Sequence, residues 1–138
     1  MFKIDKPLPM PTEDSAAYWD GARAGELRAQ RCDDCGFLRW PPASHCARCL
    51  SPQHRWLALS GRGKVFSWIV VHKSQHPAFW GDPFNVAIVE LDEGPRLHTN
   101  LVDVEAAQIR IGMPVEVVFD KQDDQISLPK FRPSAKTG

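Results

Sequence analysis

Four cysteines, Cys32, Cys35, Cys46 and Cys49, are the only ones in the chain, and they fall as C-x2-C, ten residues, C-x2-C. Each C-x2-C closes a tight knuckle that turns two sulfurs towards one point. Two knuckles together offer four thiolates, the tetrahedral all-sulfur set that Zn2+ takes in structural sites. The competing reading is two disulfides in one of three possible pairings, which needs an oxidising compartment. Met1–Pro11 (MFKIDKPLPMP) has no apolar stretch of the secretory kind, so a reduced, cytoplasmic setting with bound zinc is expected. A zinc held by four thiolates keeps no open position for water or substrate, so its role is structural. It also leaves no free thiol to act as a nucleophile. The metal stabilises a segment too short to fold alone; structural zinc in small peptides contributes about 10–16 kcal/mol at neutral pH.

Composition limits the partners. The net charge is zero, with 8 Lys/Arg against 7 Asp/Glu in residues 1–56 and 9 against 10 in residues 57–138. Neither part is a basic module, which argues against binding nucleic acid through its phosphates. Hydrophobic residues make up 43% of the 138, enough for a core. No run approaches the roughly 18 apolar residues of a membrane span.

The chain reads as three segments. Residues 1–26 form an N-terminal arm and helix. The arm, up to Pro11, is proline-rich and extended, lying on a partner or on the domain itself. Thr12 is the expected helix cap, with Glu13 and Asp14 in the first turn, Ala16, Tyr18, Trp19 and Ala22 on the apolar side, and Gly25 as the stop. Residues 27–56 form the zinc ribbon. It is entered by an alternating strand over Glu26–Arg31 and stiffened between the knuckles by Pro41 and Pro42. Gly36 follows the first knuckle and Leu50 takes its place in the second, so the two turns are expected to differ. Residues 57–138 carry five short strand patterns, Val65–His72, Phe84–Asp92, Arg96–Val102, Val115–Asp120 and Ile126–Phe131, with a loose tail after them. Pro129 marks the last as an edge. Five such strands with no long helix between them predict a mainly β, five-stranded OB-type barrel. The Lys73–Pro83 loop (KSQHPAFWGDP) is long for a hairpin. It presents Phe79 and Trp80, either as interface anchors or as a plug for the barrel mouth.

The order of these pieces resembles a known family. They are Tyr18-Trp19, Gly25-Glu26-Leu27-Arg28, Arg31-Cys32-x-x-Cys35-Gly36, Pro41-Pro42, Cys46-x-x-Cys49, Trp56, Ser60-Gly61-Arg62-Gly63-Lys64-Val65-Phe66-Ser67-Trp68, Pro83-Phe84-Asn85-Val86-Ala87, Gly112-Met113-Pro114-Val115 and Phe131-Arg132-Pro133. Together they are similar to the zinc-ribbon/OB-fold proteins of acyl-CoA metabolism, long filed as domain of unknown function thirty-five. The departure is Leu50, where glycine is common. The resemblance implies an N-terminal helix, a rubredoxin-like zinc ribbon and a C-terminal OB barrel. It also implies a non-catalytic subunit that helps hold acyl-CoA or bridges a complex. Its partner would be a thiolase-like enzyme, including lipid-transfer-type retro-aldolases, or an acyltransferase, a synthase or a hydratase.

Three functions are weighed on the residues. An acyl-CoA accessory subunit fits the closed metal site, the loop aromatics Phe79 and Trp80, and nearby cations such as Arg62, Lys64 and Lys73 for a CoA phosphate. A nucleic-acid-binding OB domain would stack bases on Phe66, Trp68 and Phe84, but their alternation with Val and Ile favours a core role. An autonomous enzyme would draw on His72, His76, His98, Asp92 or Glu90, and no motif spacing joins these.

Overall fold

A computed structural model describes residues 6–134. Residues 1–5 of the expected arm and 135–138 of the expected tail lie outside the described residues. From residue 6 the arm runs without regular structure along the domain itself, where the Lys6 ammonium sits 5.6 Å from the centre of the Phe79 ring.

The helix starts later than Thr12. Thr12 and Ser15 instead close a turn on each other: the Thr12 amide donates to Ser15 Oγ at 2.9 Å and the Ser15 amide to Thr12 Oγ1 at 3.2 Å. Glu13 and Asp14 are spent inside that turn, so helix α1 runs only over Ala16–Arg23 and has no acid in its first turn. Its end is as expected. Gly25 takes φ +83°, its amide donates to Ala22 O, and the Glu26 amide donates to Gly21 O at 2.7 Å. These two bonds satisfy the last carbonyls of the helix, and glycine is the residue that adopts the left-handed turn at least cost.

The ribbon is a three-stranded antiparallel sheet in the order β2-β1-β3. Its strands are β1 (Leu27–Cys32), β2 (Leu38–Arg39) and β3 (His54–Leu59). β3 pairs with β1 along its full length, from Cys32↔His54 to Leu27↔Leu59, and so runs past the expected join at 56/57.

Five strands make the second sheet, β4 (Arg62–Val71), β5 (Phe84–Leu91), β6 (Arg96–Thr99), β7 (Pro114–Lys121) and β8 (Ser127–Pro133), in the order β6-β5-β4-β7-β8. Gly63 must be glycine here, because a Cβ would strike the Glu90 carbonyl on the paired strand. The third expected strand stops at Thr99, and residues 100–102 turn across to β8. There Val102 donates to Phe131 O and Phe131 donates to Asn100 O, a parallel bridge that curls the two edges together. The result is the half-barrel form of the OB fold. Pro129 sits on the edge strand, and β8 runs two residues beyond Phe131, with Ser134 donating to Pro114 O.

One core joins the parts. Tyr18 of α1 and Leu27 of β1 pack with Val65, Val89, Leu97, Val115 and the fully buried Phe131, while Trp19, Trp40 and Trp56 close its flank. Phe66 does not belong to it. Gly63 and Val65 alternate inwards and so leave Phe66 outwards, 42% exposed with the Arg96 guanidinium 3.9 Å over its ring, and the β4–β5 register shift between Val65 and Ser67 then brings Trp68 onto the core. A bulge breaks the period-two alternation on which the shared core reading of Phe66 and Trp68 rested.

Candidate functional site

The two knuckles are built alike. In the first, Cys32 donates to Phe37 O and Gly36 donates to Cys32 O; in the second, Cys46 donates to Ser51 O and Leu50 donates to Cys46 O. Gly36 has φ +78° and Leu50 φ +66°. The expected difference between the turns is absent: leucine is held in a conformation that glycine adopts freely.

All four sulfurs lie within 4.8 Å of one another, with Cys32 Sγ 3.5 Å from Cys49 Sγ and Cys35 Sγ 3.6 Å from Cys46 Sγ. Zinc–sulfur bonds of about 2.3 Å in a tetrahedron need sulfurs roughly 3.8 Å apart. The donor set therefore fits Zn2+, with Cys32 and Cys46 buried and Cys35 and Cys49 at the surface. Burial raises the Cys32 thiol, but amide hydrogen bonds from Cys35 and Asp34, the Cys49 sulfur and Arg39 outweigh it and bring it down to about 6. Cys46 is lowered in the same way, against burial, by the Cys49 and Arg48 amides and the sulfurs of Cys35 and Cys49. At Cys49 the Ser51 amide is overcome by the Cys32 sulfur, burial and the other sulfurs, and the thiol is pushed up to about 12. Thiolates crowded in this way call for a cation between them.

Beneath the knuckles lies a polar network that the sequence did not announce. Arg39 is 2% exposed. Its Nη2 donates to Ser51 O at 2.7 Å and to Gln53 O at 3.0 Å, and its Nη1 meets His54 Nδ1 at 3.1 Å. The Gln30 amide is equally buried; it donates to Ala43 O and accepts from the Ala43 amide, fixing the proline-rich connection to β1. Arginine and glutamine read as surface residues in a sequence, and only the pairing of β1 with β2 (Gln30↔Arg39) turns them inwards.

At the other end of the molecule, the loop after β4 lines a groove of about 800 Å3. The two loop aromatics split their roles. Phe79 is half-buried against Phe84 (5.9 Å between ring centres) and His76, whereas Trp80 is 62% exposed, its indole N–H donating to Ser74 O at 2.8 Å. Phe79 is a partial plug, and Trp80 faces outwards. Lys6, Leu8, Val104, Leu128 and Lys130 complete the apolar and cationic parts of the groove. Of the three expected cations, only Lys73 belongs to the loop, and it is not among the residues that line the groove. The β4–β5 ladder runs from Gly63↔Leu91 to Val71↔Phe84, which places Arg62 and Lys64 at its far end. Lys64 is paired there with Glu90, whose carboxylate Arg96 holds below its usual range. Phe66, Trp68 and Phe84 form no common stacking face: Phe66 lies under Arg96, Trp68 packs on the core, and Phe84 packs against Phe79. Among the described residues, no helix is long and apolar enough to cross a membrane.

Known proteins share this arrangement. Residues 19–55 match the family described as "ChsH2, rubredoxin-like zinc ribbon domain", and residues 56–120 match "ChsH2, C-terminal OB-fold domain". A "probable enoyl-CoA hydratase alpha subunit" of Thermomonospora curvata is 42% identical over 96% of this chain, which covers 41% of that protein. The chain thus spans about two fifths of the length of that curated relative. A "DUF35 domain-containing scaffold protein" of Pyrococcus furiosus is 33% identical, and 87% of this chain covers 93% of it. A solved structure described as "Ltp2-ChsH2(DUF35) aldolase" superposes with a TM-score of 0.82 at 42% identity, over 91% of this chain and 98% of that one. The double knuckle, the curled five-stranded sheet and these likenesses together show that the chain belongs to the DUF35 family of zinc-ribbon/OB-fold proteins.

Proposed function

We propose that this chain is a non-catalytic accessory subunit that holds acyl-CoA and bridges to a thiolase-like or lipid-transfer-type partner enzyme. The observation that carries the reading is the exposed Trp80 at the rim of a groove whose floor, Phe79 and Phe84, is aromatic. A large aromatic held by a single backbone hydrogen bond and left outside the core is suited to anchoring something that the isolated chain lacks. Three further points support it. All four thiols fit one metal, so none remains for acyl transfer. Two of the groups an enzyme would draw on have other work, since His76 caps a loop turn and Glu90 is an ion-pair acceptor. Relatives carry names of a scaffold, a hydratase subunit and an aldolase assembly. In this reading Phe79 and Trp80 flank the acyl or pantetheine chain, and Lys73, at the entry to the loop, meets a phosphate. Arg62 and Lys64, at the far end of β4, serve partner contact. A cytoplasmic location accords with reduced cysteines.

The test has two arms. Trp80→Ala is expected to weaken partner or acyl-CoA binding by about 1–3 kcal/mol, roughly five- to 150-fold, and to leave the thermal midpoint nearly unchanged. A sharp fall in the midpoint with intact binding would make Trp80 a core plug and defeat the reading. The isolated chain is expected to be inert on acyl-CoA thioesters. The assembled complex is expected to turn over and to lose activity when this subunit is omitted.

A further inference from the structure

Arg39 poses an electrostatic problem. It is a guanidinium at 2% exposure, and no carboxylate pairs with it among the described residues. Its hydrogen bonds run to the carbonyls of Ala43, Ser51 and Gln53 and to the His54 ring, none of them a carboxylate. Its Nε is buried without a hydrogen-bond partner. A buried cation without a counter-charge costs several kcal/mol, of the order that a protein avoids by pairing. A bound metal would supply the counter-charge. Zn2+ with four thiolates carries a net charge of about −2. Arg39 lies opposite Gln30 on β1, two residues from Cys32, and the Cys32 amide bonds to Phe37 just before β2.

We infer that Arg39 is the buried counter-cation of the metal–thiolate centre and the positioning residue that ties its two knuckles together. The geometry explains both roles. Ser51 O accepts from Arg39 and also from the Cys46 amide, the bond that closes the second knuckle. Gln53 O accepts from Arg39 and also from the Asp33 amide, inside the first knuckle. One planar fork therefore holds a carbonyl bonded into each knuckle, while its Nε–H stays buried without a hydrogen-bond partner. Lysine has the charge but not the fork. Arg31 extends the same field at the surface. Its guanidinium passes within 4 Å of where a Gly36 side chain would start, and it stands opposite Arg55 across the β1–β3 ladder.

The experiment uses the full chain and measures zinc affinity by competition with a chelator of known strength. It also records the thiolate-to-metal charge-transfer band of the Co2+-substituted protein. Arg39→Met is expected to lower zinc affinity about 10- to 100-fold, as loss of an outer-shell partner does, and to shift the Co2+ band. Arg39→Lys is expected to recover most of the affinity but not the band position, because charge returns without the fork. The metal-free proteins give the readout that a merely structural arginine would not. With chelator in excess, Arg39→Met is expected to melt no lower than the parent chain, since the unpaired charge is gone. Should Arg39→Met prove insoluble, Arg39→Gln, neutral and polar, carries the same test. Zinc affinity within twofold of the parent chain in the neutral variant, with an equal drop in melting temperature with and without metal, would overturn the inference.

Discussion

The ribbon and the curled sheet are held together by opposite means. The sheet buries Val65, Ala87, Val89, Leu91, Leu97, Val115 and Phe131, an apolar core of the ordinary kind. The ribbon beyond Leu27 and Ala29 buries two cysteines, an arginine and a glutamine. Apolar burial is non-directional and tolerates modest shape change, whereas polar burial is favourable only when every group finds its partner. The sheet should therefore fail gradually under substitution. The ribbon should fail all at once when the metal leaves.

Removing the metal should break the comparison most sharply. Cys46→Ala, or a strong chelator acting on reduced protein, takes away a contribution of about 10–16 kcal/mol to the ribbon. Amide exchange over residues 32–53 is expected to become fast while β5 and β7 stay protected. Elemental analysis of the parent chain should give one zinc per molecule. Loss of protection in the sheet at the same chelator concentration would show that the two regions are one cooperative unit.

A change in the sheet should do the reverse. Phe131 is fully buried where the two edges meet. Phe131→Ala is expected to cost about 3–5 kcal/mol, read as a lowered denaturant midpoint, with zinc content unchanged.

The same contrast explains what the sequence revealed. The cysteine spacing, the Gly25 stop and the five strands follow from local rules and are all present. Hidden features arose wherever a distant partner overrode the local rule. Arg39 and Gln30 read as surface until strand pairing turns them inwards. Thr12 reads as a cap until Ser15 takes its hydroxyl. Phe66 and Trp68 read as one core face until a bulge between them sends only Trp68 inwards. Arg62 and Lys64 read as neighbours of the aromatic loop until the ten-residue length of β4 sets them at its other end. In the groove, the aromatic loop was legible, but the split between an inward Phe79 and an outward Trp80 was not.

Acid should separate the two regions with a milder effect. Metal binding needs deprotonated thiols, so zinc affinity falls as pH falls. Zinc release is therefore expected on the acid side, once protons compete with the metal for the four thiolates. The Glu90 carboxylate is held low by Arg96, so its contribution to the sheet is present above the ordinary carboxylate range and is lost only at more acid pH. An acid titration followed by a zinc-sensitive dye and by tryptophan fluorescence should show metal release first and sheet unfolding at lower pH. Coincident transitions would sink the ordering.

The smallest expected effect sharpens the comparison within the ribbon itself. The knuckles share their hydrogen bonds and their left-handed turn, yet one has Gly36 and the other Leu50. A residue with a Cβ pays about 1–2 kcal/mol in that conformation. Leu50 is 74% exposed, so its side chain returns little by packing. Leu50→Gly removes the strain but adds freedom to the unfolded chain, which offsets about 0.5–1 kcal/mol of the gain. The net expectation is a ribbon more stable by up to about 1 kcal/mol, seen as a higher chelator concentration at half-release of zinc. Gly36→Ala should move the same midpoint the other way, by up to about 1 kcal/mol, since the strain it introduces is offset in part by the freedom the unfolded chain loses. The two substitutions act on matched turns around one metal, so opposite signs would confirm that the knuckles are mechanically equivalent. A Leu50→Gly variant that releases zinc more readily would mean that the leucine side chain supports the second knuckle in a way its exposure does not reveal.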